Sequence, residues 1–267
     1  MKIITWNINS IRLRLGLLQN LIEKEKPDII CLQEIKVDNN LFPKNEINDL
    51  GFKHIVFEGE KSYNGVAILS KFEIKESFSL KLVNDHARHI AIRIQDDIEI
   101  HNFYIPAGGD IPDVTEVKFK HKLDYCDHIT QWFLSNRKAS DKLIITGDLN
   151  IAPLEFDVWS HRALLKEVSH TPIEVEKLNS IMSSLEFVDI LRKFYPEPKR
   201  LYSWWSYRNR DWQKSNRGRR LDHIWTTKLL SDIVISAYIL EEVRGWERPS
   251  DHVPVVINLD REKNYAN

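Results

Sequence analysis

Cysteine is nearly missing from this chain, and the absence is informative. Cys31 and Cys126 both lie in apolar patterns, with neither CxxC nor Cys/His metal spacing, so neither a disulfide framework nor a zinc centre is expected. The expectation is two reduced core thiols in a cytoplasmic protein. No run approaches the ~18 apolar residues of a membrane span. The opening residues Met1 to Asn7 lack a basic region followed by an apolar segment and a cleavage site. Repeats of solenoid period, low-complexity linkers and an obvious domain boundary are also missing. One domain over residues 1–267 is therefore expected. A net charge of −1 does not by itself announce a nucleic-acid partner.

What is present begins with Leu143-Ile144-Ile145-Thr146-Gly147-Asp148-Leu149-Asn150. An apolar, β-branched run ended by glycine reads as a buried strand delivering two polar residues. Residues two apart in extended chain point the same way, so Asp148 and Asn150 are expected to project together. A carboxylate can take a proton or help hold a cation, while a carboxamide fixes a water. The plainer reading is an Asx turn.

The same pattern recurs along the chain. Ile3 to Ile8, Asp28 to Gln33, Gly65 to Ser70, Leu221 to Trp225, Ile233 to Leu240 and Val253 to Leu259 read as strands. Ile90 to Ile94 and Ile98 to Ile105 read as a hairpin around Gln95-Asp96-Asp97. Ile11, Leu15, Leu18 and Ile22 have helical spacing, as do Phe119 to Phe133; Val175 to Leu185 suggests a third helix after a polar insertion. Strands and helices mix through the first two thirds, which predicts an α/β (α+β) fold of packed sheets with helices outside.

Charge is unevenly placed. Between Lys199 and Arg220 stand Lys199, Arg200, Arg208, Arg210, Lys214, Arg217, Arg219 and Arg220 against Asp211 alone, a local excess of seven. A cationic run is ordinarily a solvated face. Here it is interleaved with Tyr202, Trp204, Trp205, Tyr207 and Trp212, a mixture suited to nucleic-acid phosphates and bases.

Polar residues at strand ends recur as Asn7 and Asn9, Glu34, Tyr104, Asp148 and Asn150, Asp222, and Asp251-His252. Each has a local explanation as a cap, an ion pair or a turn. Loops at one edge of packed sheets can instead gather them into one site. The set and its order resemble the exonuclease III family of apurinic/apyrimidinic endonucleases, within the endonuclease/exonuclease/phosphatase superfamily. The resemblance is carried by Trp6-Asn7-Ile8-Asn9, Leu32-Gln33-Glu34-Ile35-Lys36, Tyr63-Asn64-Gly65-Val66-Ala67, Tyr104-Ile105-Pro106, Gly147-Asp148-Leu149-Asn150, Arg220-Leu221-Asp222 and Ser250-Asp251-His252.

The resemblance implies a four-layer αββα sandwich and a magnesium-dependent phosphodiesterase, with manganese as a substitute. Its partner would be double-stranded DNA with abasic sites or blocked 3′ ends, met by a monomer away from membranes. By the same resemblance Glu34 is the principal metal ligand, aided by Asn7, Asn9 or Asp251. Asp148 positions or deprotonates the attacking water and Asn150 holds its geometry. Tyr104 stabilises the phosphate or departing oxygen, and His252, oriented by Asp222, hydrogen-bonds a phosphate oxygen. These residue types suit a hard cation and a charged transition state. A calcium loop of EF-hand type fails, since the twelfth position from Asp148 is Trp159.

Trp204 and Leu221 are expected to wall the abasic-site pocket, with Trp205 packed inside because neighbours in a strand face opposite ways. Arg208, Arg217, Arg219 and Arg220 are expected to contact DNA. Two departures stand out. Ala107 occupies a position where many relatives carry an amide, so any phosphate contact from that amide is absent unless the backbone N–H groups of Gly108 and Gly109 replace it. Arg219 stands where some relatives carry an apolar or aromatic residue. The rival readings are a superfamily enzyme acting on RNA (a 3′ exoribonuclease or deadenylase) or on lipid, and a non-catalytic damaged-DNA-binding module.

Overall fold

A computed structural model describes residues 1–209 and 211–262 of the chain. Its elements begin with β1 (Lys2–Asn7), α1 (Leu15–Glu25), β2 (Ile29–Gln33), α2 (Lys44–Asp49), β3 (His54–Glu58), β4 (Val66–Ser70), β5 (Glu76–Phe78), β6 (His89–Arg93) and β7 (Glu99–Tyr104). Next come α3 (Val117–Asn136), β8 (Leu143–Asp148), α4 (His161–Leu164), α5 (Pro172–Ser184), β9 (Val188–Asp189) and α6 (Ile190–Phe194). The rest adds β10 (Trp204–Trp205), α7 (Trp212–Ser215), β11 (Gly218–Arg219), β12 (Asp222–Thr226), α8 (Lys228–Ser231), β13 (Val234–Ile239) and β14 (Val255–Leu259).

Two six-stranded sheets run in the orders β13-β14-β1-β2-β4-β3 and β5-β6-β7-β8-β12-β9, and β10 pairs with β11 in a separate ribbon. Each large sheet has one parallel pair at its centre, β1 with β2 and β7 with β8. Strands buried on both faces need apolar side chains at consecutive positions, which explains the unbroken runs in the sequence. Ile3 and Ile29 enter the core between the sheets with Ile100, Ile144 and Ile224, while Ile4 and Ile30 turn outward under Leu18 and Leu21 of α1. Across the other sheet, Phe103, Ile145 and Trp225 lie under Cys126, Ile129 and Phe133 of α3 and Leu178 of α5. The predicted four layers are present.

The expected hairpin forms from β6 and β7 in antiparallel register. The first helix begins at Leu15, not at Ile11, because Arg14 between them takes non-helical backbone (φ −117, ψ 21) and serves as the N-cap. The sequence reading passed over β3, β5 and the small helices, whose short half-exposed stretches lack a clear period. Both thiols are buried and free, and burial pushes each up to about 12, so they are inert. No helix among the described residues is long and apolar enough to cross a membrane.

The sheets are also tied by polar contacts. Gln33 Nε2 donates to Asn102 Oδ1 (2.6 Å) across the interface, and Asn102 Nδ2 donates to the Leu32 and Ala67 carbonyls. Far from the cleft, a directional chain runs through buried histidines. The Leu80 N–H donates to His89 Nδ1, so His89 Nε2–H donates to His101 Nδ1 and His101 Nε2–H to Glu99. Arg93 and Arg137 complete the carboxylate's partners. Burial opposes the Glu99 charge, but His101, Arg137 and Arg93 outweigh it and hold the carboxyl below its ordinary 4.5. A depressed folded value contributes stability above the unfolded pKa and loses it as pH falls through the folded one. Glu99→Gln should therefore be less stable than wild type near neutral pH, with the gap closing as pH drops below 4.5. Urea unfolding across that range measures it, and a gap independent of pH would contradict the assignment.

Candidate active site

Both central parallel pairs end at the same edge of the molecule, and their terminal residues meet there. Asn7 closes β1, Glu34 follows β2, Tyr104 closes β7 and Asp148 closes β8. Asp222 opens β12 directly opposite Asp148, and Asp251-His252 precede β14. Gly147 permits the approach of β8 to β7: at φ +135 a Cβ would lie 1.9 Å from the Phe103 carbonyl oxygen. Asn9, Glu34 and Asn150 all have left-handed backbone, so sharp turns re-aim their side chains inward. Asn150 thus reaches Asp148 through a turn and not by strand alternation.

One amide joins the two sheets. Asn7 Nδ2 donates to Glu34 Oε1 (2.8 Å) and Asp148 Oδ2 (2.9 Å), which uses both of its hydrogens. Asn150 donates to Asp148 from its backbone N–H (3.0 Å) and side chain (3.2 Å). His252 Nδ1 lies 2.8 Å from Asp222 Oδ2, while its Nε2 faces Asp148 Oδ2 at 3.6 Å. Asn9 donates to Asp251 Oδ1, and the Trp204 indole donates to Asp251 Oδ2 (each 3.0 Å).

Burial disfavours the His252 imidazolium, yet the Asp222 and Asp148 carboxylates outweigh that cost and raise its pKa. Burial pushes Asp148 up; His252 pulls it down, and Asp222 and Glu34 add to the rise. Tyr104 is raised by burial and by the Glu34 and Asp148 charges, which keeps it a neutral phenol able to donate. Asp251 is lowered: burial opposes its charge, but His252, Asn9 and Trp204 favour it.

The donor set fits a hard cation. Carboxylate oxygens of Glu34 and Asp148 lie within 4.8 Å of one another and of a His252 ring nitrogen, whose raised pKa makes it a donor and not a ligand. The Lys36 ammonium already bridges Glu34 Oε2 (2.6 Å) and Asn9 Oδ1 (2.7 Å), so this corner accommodates positive charge. Lys36 was not singled out by sequence reasoning, although it sits two residues after Glu34. Ser250 stood in the Ser250-Asp251-His252 stretch without a role; its hydroxyl donates to the Asn7 carbonyl and accepts from the His252 N–H.

A cleft of about 690 Å³ opens above these groups. The segment expected to be a polar insertion forms one wall, through Trp159, Leu164 and Ser169. Trp204 and Leu221 line the cleft, while Trp205 is 1% exposed and packs against Tyr202 and Trp212. Arg208, Arg217 and Arg219 also line it, with Arg217 over the Trp159 ring and Arg219 over Trp204. Arg219 further donates to the Val168 carbonyl and the Ser169 hydroxyl. Arg210 lies outside the described residues.

Arg220 corrects the expectation of a DNA contact. It is 0% exposed and its guanidinium pairs with Asp157 and Asp189. Strand alternation sends it inward while Arg219 faces the cleft. Removing one member of such a pair leaves buried charge, so Arg220→Ala should destabilise the protein by about 3–5 kcal/mol. Arg217→Ala should change stability by less than about 0.5 kcal/mol and, if its exposed guanidinium meets phosphate, flatten the salt dependence of DNA binding. Urea unfolding and binding titrations at several salt concentrations distinguish them; a stable Arg220→Ala protein would contradict the buried role.

Comparison with known proteins places this geometry. The model of the endonuclease/exonuclease/phosphatase family matches residues 4–252. The chain is 32% identical over 268 residues to exodeoxyribonuclease III of Haemophilus influenzae, spanning 96% of this chain and 98% of that protein. It is 30% identical over 272 residues to a DNA-(apurinic or apyrimidinic site) endonuclease of Dictyostelium discoideum, spanning 97% and 71% respectively. An AP endonuclease structure from Archaeoglobus fulgidus superposes with a TM-score of 0.91 at 34% identity, covering 97% of this chain and 99% of that one. The 3′ phosphatase NExo from Neisseria, bound to a product DNA hairpin, superposes with a TM-score of 0.89 at 31% identity, covering 97% and 99%.

Proposed function

The chain belongs to the endonuclease/exonuclease/phosphatase family, and from that membership we infer that it is a DNA-repair phosphodiesterase. It incises duplex DNA 5′ to abasic sites to leave a 3′-hydroxyl, and it removes blocked groups or nucleotides from 3′ ends. The observation that carries this reading is the pair of carboxylates from different sheets, Glu34 and Asp148, held by the single Asn7 amide beside an imidazole. The likeness to exodeoxyribonuclease III and to AP endonucleases supports it.

Glu34, with Asn7, Asn9 and Asp251, would hold a divalent cation, magnesium with manganese as substitute, which supplies charge neutralisation at the phosphate. Asp148 accepts a proton from the attacking water. Its burial-raised pKa suits a base, and the Asn150 donors, one to each oxygen, fix the orientation of the carboxylate. Tyr104, as a neutral phenol, donates to a phosphate or departing oxygen. The His252 imidazolium favoured by Asp222 and Asp148 donates from Nε2 to a phosphate oxygen. Trp204 and Leu221 offer the cleft an apolar wall for a sugar without its base, and flipping such a residue costs less than unstacking a paired base.

The test is a labelled duplex with one abasic-site analogue, assayed with and without magnesium beside intact duplex and single-stranded RNA. Metal-dependent incision 5′ to the analogue is expected. Asp148→Asn and His252→Asn should each lower kcat by about a hundredfold or more with circular dichroism unchanged. Cleavage of RNA alone, or full activity in Asp148→Asn, would sink the assignment.

A further inference from the structure

Trp204 is half-buried and lines the cleft together with Leu221, Asp251 and His252. A wall for a sugar asks only for an apolar ring, which phenylalanine would supply. Tryptophan adds an indole N–H, and here it donates to Asp251 Oδ2 (3.0 Å). Satisfying a buried donor does not by itself explain that bond. Trp225 lies deeper, at 0% exposed, and its indole nitrogen has no partner among the described residues.

The surrounding chain sets the direction of the Trp204 N–H. Trp204 pairs with His252 in an isolated antiparallel bridge. On either side of it, the Trp205 N–H donates to the Asp251 carbonyl (3.0 Å) and the Val253 N–H to the Ser203 carbonyl (2.8 Å). The Arg219 guanidinium lies 5.4 Å from the Trp204 ring centroid and is itself tied to Val168 and Ser169.

Asp251 receives one side-chain donor on each oxygen. Asn9 Nδ2 donates to Oδ1 (3.0 Å) from the floor, and Trp204 donates to Oδ2 from the wall. Asn9 Oδ1 in turn accepts from the Lys36 ammonium, which pairs with Glu34. The carboxylate cannot turn about its Cβ–Cγ bond without losing a hydrogen bond, and each oxygen keeps a lone pair for a cation. A hard divalent ion binds best to oxygens already aimed, and hydrogen bonds that orient a ligating carboxylate tune its affinity.

We propose that Trp204 serves the cation as well as the substrate: its indole N–H fixes the Asp251 carboxylate for a divalent ion. Trp204 is then a positioning residue toward the cation, acting through Asp251, in addition to its place in the wall. The inference rests on the phosphodiesterase reading above, in which Asp251 helps to hold the ion.

The test places benzothienylalanine at position 204, which keeps a bicyclic aromatic ring and replaces the N–H with sulfur. Manganese is titrated into the full chain without DNA and followed by electron paramagnetic resonance, with thermal unfolding as the check of fold. Affinity should weaken about tenfold or more, the usual cost of removing a partner that orients a metal-binding group. Trp204→Phe, which also lacks the N–H, should weaken it in the same direction. The same sulfur replacement at Trp159, a cleft tryptophan whose indole donates to no described residue, should leave manganese affinity unchanged. Unaltered affinity with benzothienylalanine at 204, or an equal loss from the replacement at 159, would overturn the proposal. Manganese binding indifferent to position 204 defeats this inference alone, whereas a natural chain that binds no manganese defeats the cation-assisted reading and this inference together.

Discussion

Four carboxylates, Glu34, Asp148, Asp222 and Asp251, are brought together at the meeting edge of two sheets, and the site depends on how their repulsion is offset. Partly or fully removed from water, like charges repel more strongly than at a surface, so each must have a donor or a cation. Asn7 bonds two of them, His252 pairs with Asp222, and Asn9 and Trp204 hold Asp251. Lys36 takes the remaining oxygen of Glu34. The same need for positive charge that constrains the fold suits the cluster to a divalent cation.

The fold supplies that arrangement by construction. Each sheet contributes one parallel pair whose carboxyl ends share an edge, and the Gln33–Asn102 contact lies one residue behind Glu34 and two behind Tyr104. Polar contacts between sheets cost desolvation, and a directional one fixes register where apolar packing alone tolerates slippage. The 151–171 segment and the Arg/Trp stretch wall the cleft above this floor, and Trp204 ties wall to floor through Asp251.

Strand ends were legible because an apolar run stopped by glycine or a polar residue leaves a local signature, as at Gly147-Asp148. Alternation separated Trp204 from Trp205 correctly. The expectation that Arg219 and Arg220 both contact DNA overlooked that neighbours in extended chain face opposite ways, and the sequence did not say which one met the cleft. That depended on Asp157, 63 residues away in sequence, and on Asp189. Lys122 was illegible for a related reason. A lysine in a helical stripe is ordinarily solvated, and its burial is decided by Glu174, 52 residues distant. The family resemblance joined residues distant in sequence into one site; the left-handed turns that aim Asn9, Glu34 and Asn150 leave no periodic signature.

The central claim is that the clustered oxygen donors hold a divalent cation, and metal binding without turnover tests it most directly. Manganese titration followed by electron paramagnetic resonance, on the natural protein and on Glu34→Gln, requires no DNA. The account predicts specific binding that Glu34→Gln weakens at least about tenfold, since one charge is removed from a hard-cation site. Equal manganese affinity in the two proteins would contradict it and would place the cation elsewhere.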